Sequence, residues 1–597
     1  MVYFDNHESD TLLGVKIPKP KLTDEEKRNL YLKEFYTGER AGALTGYATN
    51  DRPWLDSYTE DEIAMELPEV SAYSYLYRNN IANPHDIALN YDNERITYKK
   101  LFEKIDEVAK ALKQNGVKED DVITLSMPNS LEFVYLFYAI SKIGSTIHII
   151  DSNTDIKDIE KYIKAVNSTM TFITDKDYEK FKPLIENETI NKSVVIPHRI
   201  KYVNDLFKNY KVDYNDKTIN WKTFINEGKN YENLNAKLEY KKKRPFLITH
   251  TLGTSGDKKT VVLTNENINA ASLQCSISGI DIEKGDKWLN TLSNYRITGI
   301  TLGIHLPLSS GIETILMPEY DDNKFEQILL KNKPNHIIGT YRCYKDMLSN
   351  YKLMNKNFSF LKTPIVIDNM YTNLEEKTNK FLEEHNCKSR VLKGYGMTEV
   401  GGAIAGTPHK NNEFGSVGIP FAKTIVGIFS PGTDKEIKYG YDGEICISGP
   451  SIMNGYFDDQ ELTDKVIMKH KDGRLWLHTG DIGYINEDGV LYVNDRLENW
   501  QNRKWDLKYF PRILEKTLGM YYSISGCKVV TYTDVKHNKT FEANLVLNER
   551  FKGFDDVVVR PIQTLCEREF PEYCNLITYK FVDSLDEIKE TEKVKTL

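Results

Sequence analysis

No apolar run in this chain is long and clean enough to cross a bilayer. The most apolar stretch, FVYLFYAISKIGSTIHII from Phe133, is interrupted by Lys142, Gly144 and His148, which predicts a buried helix running into a strand. Cysteine is scarce. Seven of them, an odd number without paired spacing, fit free thiols in a reducing compartment, and none falls at metal-ligand spacing. Basic blocks are short: net charge is −8, and the richest cluster, YKKKR at 240–244, reads as a solvated linker and gives no case for nucleic acid. The N-terminal MVYFDNHESDTLLG has neither a basic leader nor an apolar core, so no secretory signal is expected. Internal repeats and low-complexity segments are missing too. What is left is the expectation of a cytosolic (cytoplasmic), multi-domain protein, since 597 residues exceed one hydrophobic core.

Regular patterning begins near Ile96. In ITYKKLFEKIDEVAKALKQNGV, Leu101, Ile105, Val108, Ala109 and Leu112 recur at helical spacing, and Gly116 can end the helix. A strand in DVITLSMP, a helix from Ser130 to Ile143, the strand STIHII, a helical IKDIEKYIKAVN and the strand STMTFITD follow. Such alternation predicts an α/β fold with largely parallel sheets to about residue 400. The segments GSVGIPFAKTIVGIF, GEICISGPSIMNGYF and GVLYVNDR then predict short, Gly-punctuated strands of a small β-rich subdomain. Past Arg496 a helix, a strand pair, a helix and a strand predict a separate α+β domain. The expected division is an N-terminal extension over 1–60, a large domain over 61–495 and a small C-terminal domain over 496–597.

The stretch HTLGTSGDKKT, 250–260, lies between two apolar runs. Gly253 and Gly256 can take positive φ, which lets consecutive amides face one anion, and Lys259 can add a point charge. Gly, Ser, Thr and Asp are also ordinary turn formers, so a polar hairpin loop fits these residues equally well.

Two further stretches bear on the choice. KGYGMTEVGG, 393–402, sets Tyr395 between glycines and Thr398 beside Glu399; WLHTGDIGYINEDGVLYVNDR, 476–496, carries Asp481 and ends in Arg496. Taken in this order and spacing, the three resemble the adenylate-forming enzymes over roughly residues 60 to 597, most closely the fatty-acid–CoA ligase branch. The resemblance implies the fold of that superfamily, with a hinge near Asp495–Asn499. It also implies ATP-dependent activation of a small carboxylic acid to an acyl adenylate, then acyl transfer to CoA. On it, Thr251, Gly253, Thr254, Ser255 and Gly256 wrap the β- and γ-phosphates, and Lys259 neutralises the departing pyrophosphate. Tyr395 stacks on adenine with Gly396 beside it, Thr398 bonds the α-phosphate, and Glu399 holds Mg²⁺. Asp481 takes both ribose hydroxyls, Arg496 adds a ribose or phosphate contact, and Lys593 is the best match to the C-terminal catalytic lysine.

Departures from the family pattern are also clear. Lys258-Lys259-Thr260 stands where Pro-Lys-Gly is usual, Asp368-Asn369 where a glycine pair is usual, and Asn294-Tyr295 where an aromatic–His pair is common. Asp506 replaces a glycine on the loop lining the CoA thiol channel, and Ile513 replaces a glutamate. These changes keep a second reading open, in which the adenylate goes to an amine or a carrier-protein thiol. A third, from another class, is a non-catalytic nucleotide-binding relative acting through a partner protein.

Overall fold

The computed structural model describes residues 11–12, 15–16, 44–198, 210–232, 234, 239–251, 258–367, 370, 372–408, 412–413, 415–497, 511–519, 521, 523–533, 539–569, 574–585 and 593–594. After short strands and helices up to Asn80, the elements that build the body start with β1 (Ile87–Tyr91), β2 (Glu94–Thr97) and α1 (Tyr98–Gln114). Next come β3 (Val122–Ser126), α2 (Leu131–Ile143), β4 (Thr146–Ile149), α3 (Ile156–Ala165), β5 (Met170–Thr174), β6 (Ser193–Ile196) and β7 (Thr218–Asn220). Then follow β8 (Pro245–His250), β9 (Thr260–Thr264), β10 (Lys287–Asn290), β11 (Glu313–Leu316), β12 (His336–Gly339), β13 (Thr363–Val366) and β14 (Leu392–Tyr395).

Among the described residues, an eight-stranded sheet has β9, β8, β4, β3, β5, β6 and β7 as consecutive neighbours, with β8 through β3 to β7 running parallel. A nine-stranded sheet carries β14, β13, β12, β10, β11 and β1 as parallel neighbours. Helix α1 forms where the 3.6-residue spacing requires it: Leu101, Ile105, Val108, Ala109 and Leu112 are buried, and the Thr97 hydroxyl caps the first turn by accepting from Lys100 N–H. Helix α2 is buried on nearly its whole circumference, Lys142 excepted, as its apolar composition predicts. Each buried Leu or Phe of this kind contributes about 1.5–3 kcal/mol. The Ser130 hydroxyl starts α2, and Gly144 at φ +75° ends it.

The small β-rich part is a five-stranded sheet built on β15 (Ile425–Phe429), β16 (Gly443–Ser448), β17 (Leu475–Ile485) and β18 (Leu491–Arg496). One expectation is corrected here. The strand Gly455–Tyr456, grouped with this subdomain from sequence, instead pairs antiparallel with β9 at the edge of the eight-stranded sheet. The C-terminal region is a four-stranded sheet around β19 (Ile524–Thr533) and β20 (Lys539–Leu547), with helices Pro511–Gly519 and Asp555–Glu569. Toward the N-terminus, Trp54 is fully buried and its backbone meets Gly489 closely, so residues 48–64 pack into the body. Among the described residues, no helix is long and apolar enough to cross a membrane. All seven cysteines are free.

Candidate functional site

The C-terminal ends of β8 and β14, one from each large sheet, converge, and such strand ends are where open α/β sheets place ligands. Residues 252–257 lie outside the described residues, so Gly253, Thr254, Ser255 and Gly256 are not placed. The two ends of that loop are. Thr251 N–H donates to Lys259 O at 2.9 Å, and Lys259 N–H donates to Thr251 Oγ1 at 3.0 Å. The Lys259 ammonium lies 5.4 Å from the Tyr456 ring centroid, within cation–π range. The Tyr456 hydroxyl in turn donates to Glu399 Oε1 at 2.9 Å, which ties the loop base to the Thr398–Val400 turn. Burial, and then the Glu399 carboxylate, raise the Tyr456 hydroxyl above its ordinary pKa, so it remains a donor.

At the end of β14 the chain folds back on itself. Gly396 is obligatory there, because a Cβ would lie 1.8 Å from Gly402 O. Tyr395 is buried and its hydroxyl donates to Asp481 Oδ2 at 2.6 Å. Burial, then the Asp481 charge, push this phenol well above its ordinary range. Asp481 and Arg496 are register partners across β17 and β18, and Arg496 Nη1 donates to Asp481 Oδ1 at 2.9 Å. Both oxygens of Asp481 are therefore engaged, yet a carboxylate offers about four lone-pair directions, which leaves acceptor capacity for hydroxyls. Sequence reasoning brought Tyr395, Glu399, Asp481, Arg496, Thr251 and Lys259 forward, and the structure gathers them around two tyrosines.

It missed Tyr456 and Glu444. Glu444 Oε1 accepts from Gly480 N–H at 3.2 Å, immediately before Asp481, while Oε2 accepts from Gly432 N–H at 3.0 Å and from His478 Nδ1 at 2.9 Å. Burial works to raise Glu444, but these donors together lower it below its ordinary value. Cys446 also lies within 4.8 Å of the Glu444 and His478 donor atoms, a cluster that cysteine spacing does not foretell. Three donors converge on Glu444, and through one of them the cluster holds Gly480. Its sequence signal is faint: the contact spans two strands.

Other expected residues fall elsewhere. Lys593 belongs to a two-residue strand paired parallel with β19, opposite Tyr532, on the C-terminal sheet and not on the sheets bearing the other candidates. Asp368, Asn369 and residues 498–510, including Asp506, lie outside the described residues. Glu515 Oε1 accepts from Val529 N–H at 2.8 Å, a structural tie from helix to sheet. Asn294 is buried with Nδ2 donating to Met127 O, and the Tyr295 hydroxyl donates to Ser152 Oγ at 3.4 Å.

Beside Tyr395, Gly396, Gly402 and Ala403 opens a pocket with largely apolar walls. Its walls include Trp288, Leu302, Ile338, Ile365 and Phe421. Lys393 also borders it, with Nζ held by Glu375 at 2.8 Å, so that charge is already paired. Cys275 is a wall too, and burial pushes its thiol up to about 12, which removes it as a nucleophile.

Comparison with known proteins gives the family and the fold. A family model described as AMP-binding enzyme matches residues 76–457. A long-chain-fatty-acid–CoA ligase of Bacillus subtilis (strain 168) is 25% identical over 530 residues, covering 84% of this chain and 90% of that protein. The fold is shared with an anthranilate CoA ligase solved with anthranoyl-AMP, at TM-score 0.72 and 16% identity, over 89% of this chain and 96% of that one. It is shared too with the o-succinylbenzoate CoA synthetase of Bacillus subtilis solved with ATP and magnesium ion, at TM-score 0.67 and 19% identity, over 85% and 95%.

Proposed function

The chain belongs to the AMP-binding enzyme family, and we infer that it is an AMP-forming acid–CoA ligase acting on a monocarboxylic acid with an apolar tail. The acid's carboxylate attacks the α-phosphorus of ATP and pyrophosphate leaves; the CoA thiol then attacks the acyl carbonyl and AMP leaves. The single observation that carries this reading is one continuous arrangement. Lys259, Tyr456 and Glu399 form one wall, Tyr395, Asp481 and Arg496 another, and an apolar cavity opens beside the same turn. Among the described residues, the lysine bordering that cavity, Lys393, is already paired with Glu375, which suits an apolar tail better than a second carboxylate.

In this reading Asp481 accepts from the ribose hydroxyls, Tyr395 supports adenine with Gly396 beside it, and Thr398 bonds the α-phosphate. Thr251, the loop to Gly256 and Lys259 receive the β- and γ-phosphates, and Arg496 orients Asp481. Phosphoryl chemistry is mostly positioning and charge stabilisation, and this set supplies both. Glu399, a buried hard-oxygen donor beside a hydroxyl, fits Mg²⁺, which would neutralise phosphate charge when bound there. Lys593 is assigned to adenylation, with 61–495 as the nucleotide-binding body and 496–597 as the smaller domain.

The test is ATP–pyrophosphate exchange over a panel of acids, followed by thioester assay with CoA, a carrier protein and amines as acceptors. Apolar monocarboxylates should support exchange and CoA thioester formation. Lys593→Ala should depress exchange while sparing thioester formation from added acyl adenylate. Exchange with no acid, or a preference for dicarboxylates, would sink the reading.

A further inference from the structure

His250, Thr260 and the strands beneath them carry a feature that the reaction as written does not use. The Thr260 hydroxyl meets His250 Nδ1 at 3.2 Å, and His250 Nε2 meets His148 Nε2 at 3.0 Å. His148 Nδ1 meets Thr124 Oγ1 at 3.1 Å, Thr124 donates to Ser168 Oγ at 2.8 Å, and Ser168 donates to Met170 O at 3.1 Å. The residues follow the strand order β9, β8, β4, β3 and β5, so the chain of bonds crosses the sheet one neighbour at a time. His250 and Thr260 are register partners, as are Thr124 and His148.

A carbonyl fixes the direction of every bond. Met170 O can only accept, so the Ser168 proton points to it and Ser168 Oγ must accept from Thr124. Thr124 has then spent its proton and must accept from His148 Nδ1–H. His148 Nε2 is therefore a lone pair, which accepts from His250 Nε2–H. His250 Nδ1 is in turn a lone pair, and the Thr260 hydroxyl must donate to it. Only neutral imidazoles fit, and burial holds both rings below the ordinary histidine range, His250 at about 4 with Lys258 adding to the effect. The ring of Tyr162, from α3, stacks on His250 with centroids 4.0 Å apart and blocks rotation of the imidazole.

We propose that His250 is a positioning residue for the adenylation step, acting through the Thr260 hydroxyl to hold Lys259 at the mouth of the phosphate loop. This rests on the reading of Thr251 and Lys259 as the ends of that loop. Thr260 follows Lys259 directly, so the direction of its hydroxyl and the backbone pairing of Lys259 with Thr251 are set together. The sheet thereby passes its rigidity to one ammonium group. That explains a threonine where a smaller residue would leave the lysine's flank without a side-chain anchor.

The experiment compares Thr260→Val, which keeps the shape and removes the hydroxyl, with Thr260→Ser, which restores it. His250→Asn, which offers an amide oxygen where Nδ1 accepts, His250→Phe, which offers no acceptor, and Lys259→Ala complete the set. The readout is ATP–pyrophosphate exchange with kcat and the KM for ATP resolved separately. Thr260→Val is expected to lower kcat by about tenfold while KM for ATP moves by less than about threefold. Thr260→Ser should recover most of the loss, and His250→Asn should retain more activity than His250→Phe. A Thr260→Val loss carried by KM, or one that Thr260→Ser reproduces, overturns the inference. So does a Thr260→Val enzyme within about twofold of wild type while Lys259→Ala is impaired, a result that leaves the phosphate-loop reading standing. If Lys259→Ala is equally unimpaired, both fall.

Discussion

Asp481 joins the two strands of the site to Tyr395 through one side chain. Its carboxylate accepts from the Tyr395 hydroxyl and from Arg496, and the neighbouring Gly480 N–H is held by Glu444. Asp481→Ala removes the acceptor for both donors as well as the proposed ribose contact. Charge-assisted hydrogen bonds are worth about 1.5–3 kcal/mol each, so ATP affinity should fall at least about tenfold by calorimetric titration. Arg496→Ala should cost less, because that side chain is about a third exposed and its interaction is screened. An Asp481→Ala protein that melts like wild type and binds ATP equally well would remove Asp481 from the site. Glu399 differs in kind: its visible partner is the Tyr456 hydroxyl, so its loss should act through the metal and phosphates more than through the nucleoside.

At the level of elements, the turn from Tyr395 to Ile404 is the tightest part of the site. Ile404 N–H returns to Tyr395 O at 2.9 Å, Gly401 N–H to Thr398 O at 3.1 Å, and Gly396 passes against Gly402 O. A methyl at 396 has no room, and overpacking of this kind costs about 1–3 kcal/mol. Gly396→Ala should therefore lower the melting temperature and abolish most exchange activity, because Thr398 and Glu399 ride on the displaced turn. Wild-type melting and exchange together would show that the backbone absorbs the methyl freely. Much of this architecture was legible in the sequence, because periodicity is a local property. Leu101 to Leu112 reads as one helical face, and the run from Leu131 to Ile143 reads as a helix buried on all sides. The partners were not legible. Nothing in GYF at 455–457 says that Tyr456 leaves its neighbours to pair with β9, and the Tyr456–Glu399 contact joins residues 57 apart. The histidine chain needs the order of five strands, which a sequence does not write down. The family resemblance supplied the site residues, but Glu444 and His250 act through neighbours and carry no motif of their own.

For the whole molecule, the consequence of burying neutral imidazoles is a stability that depends on mild acid. His148, His250 and His305 are all pulled below their ordinary range chiefly by burial, with His250 at about 4 and His305 at about 3. In the unfolded chain such groups titrate near 6.5. Between that value and the folded one, the unfolded state binds more protons than the native state, so stability rises with pH there. The contribution is fully present above about pH 6.5 and is lost as pH falls toward 4, at up to about 1.4 kcal/mol per pH unit for each histidine. Glu436 and Asp346, raised by burial, oppose this trend from the acid side. His305 isolates the effect best, being wholly buried among Tyr138 and Asn269 and remote from the phosphate loop in sequence. Asn269 Nδ2 donates to Pro68 O and Val70 O, so its Oδ1 accepts from His305 Nε2–H, and His305 Nδ1 accepts from the Tyr138 hydroxyl. His305→Gln removes the titrating group while leaving an amide able to serve part of that arrangement. At pH 7 the variant should be the less stable protein by urea unfolding. Toward pH 5 the wild type bears the cost of keeping His305 neutral against a protonated unfolded chain, and the variant does not. The gap between their unfolding midpoints should therefore narrow steadily from pH 7 to pH 5. A gap that stays constant across that interval would mean that His305 is not held neutral by its burial.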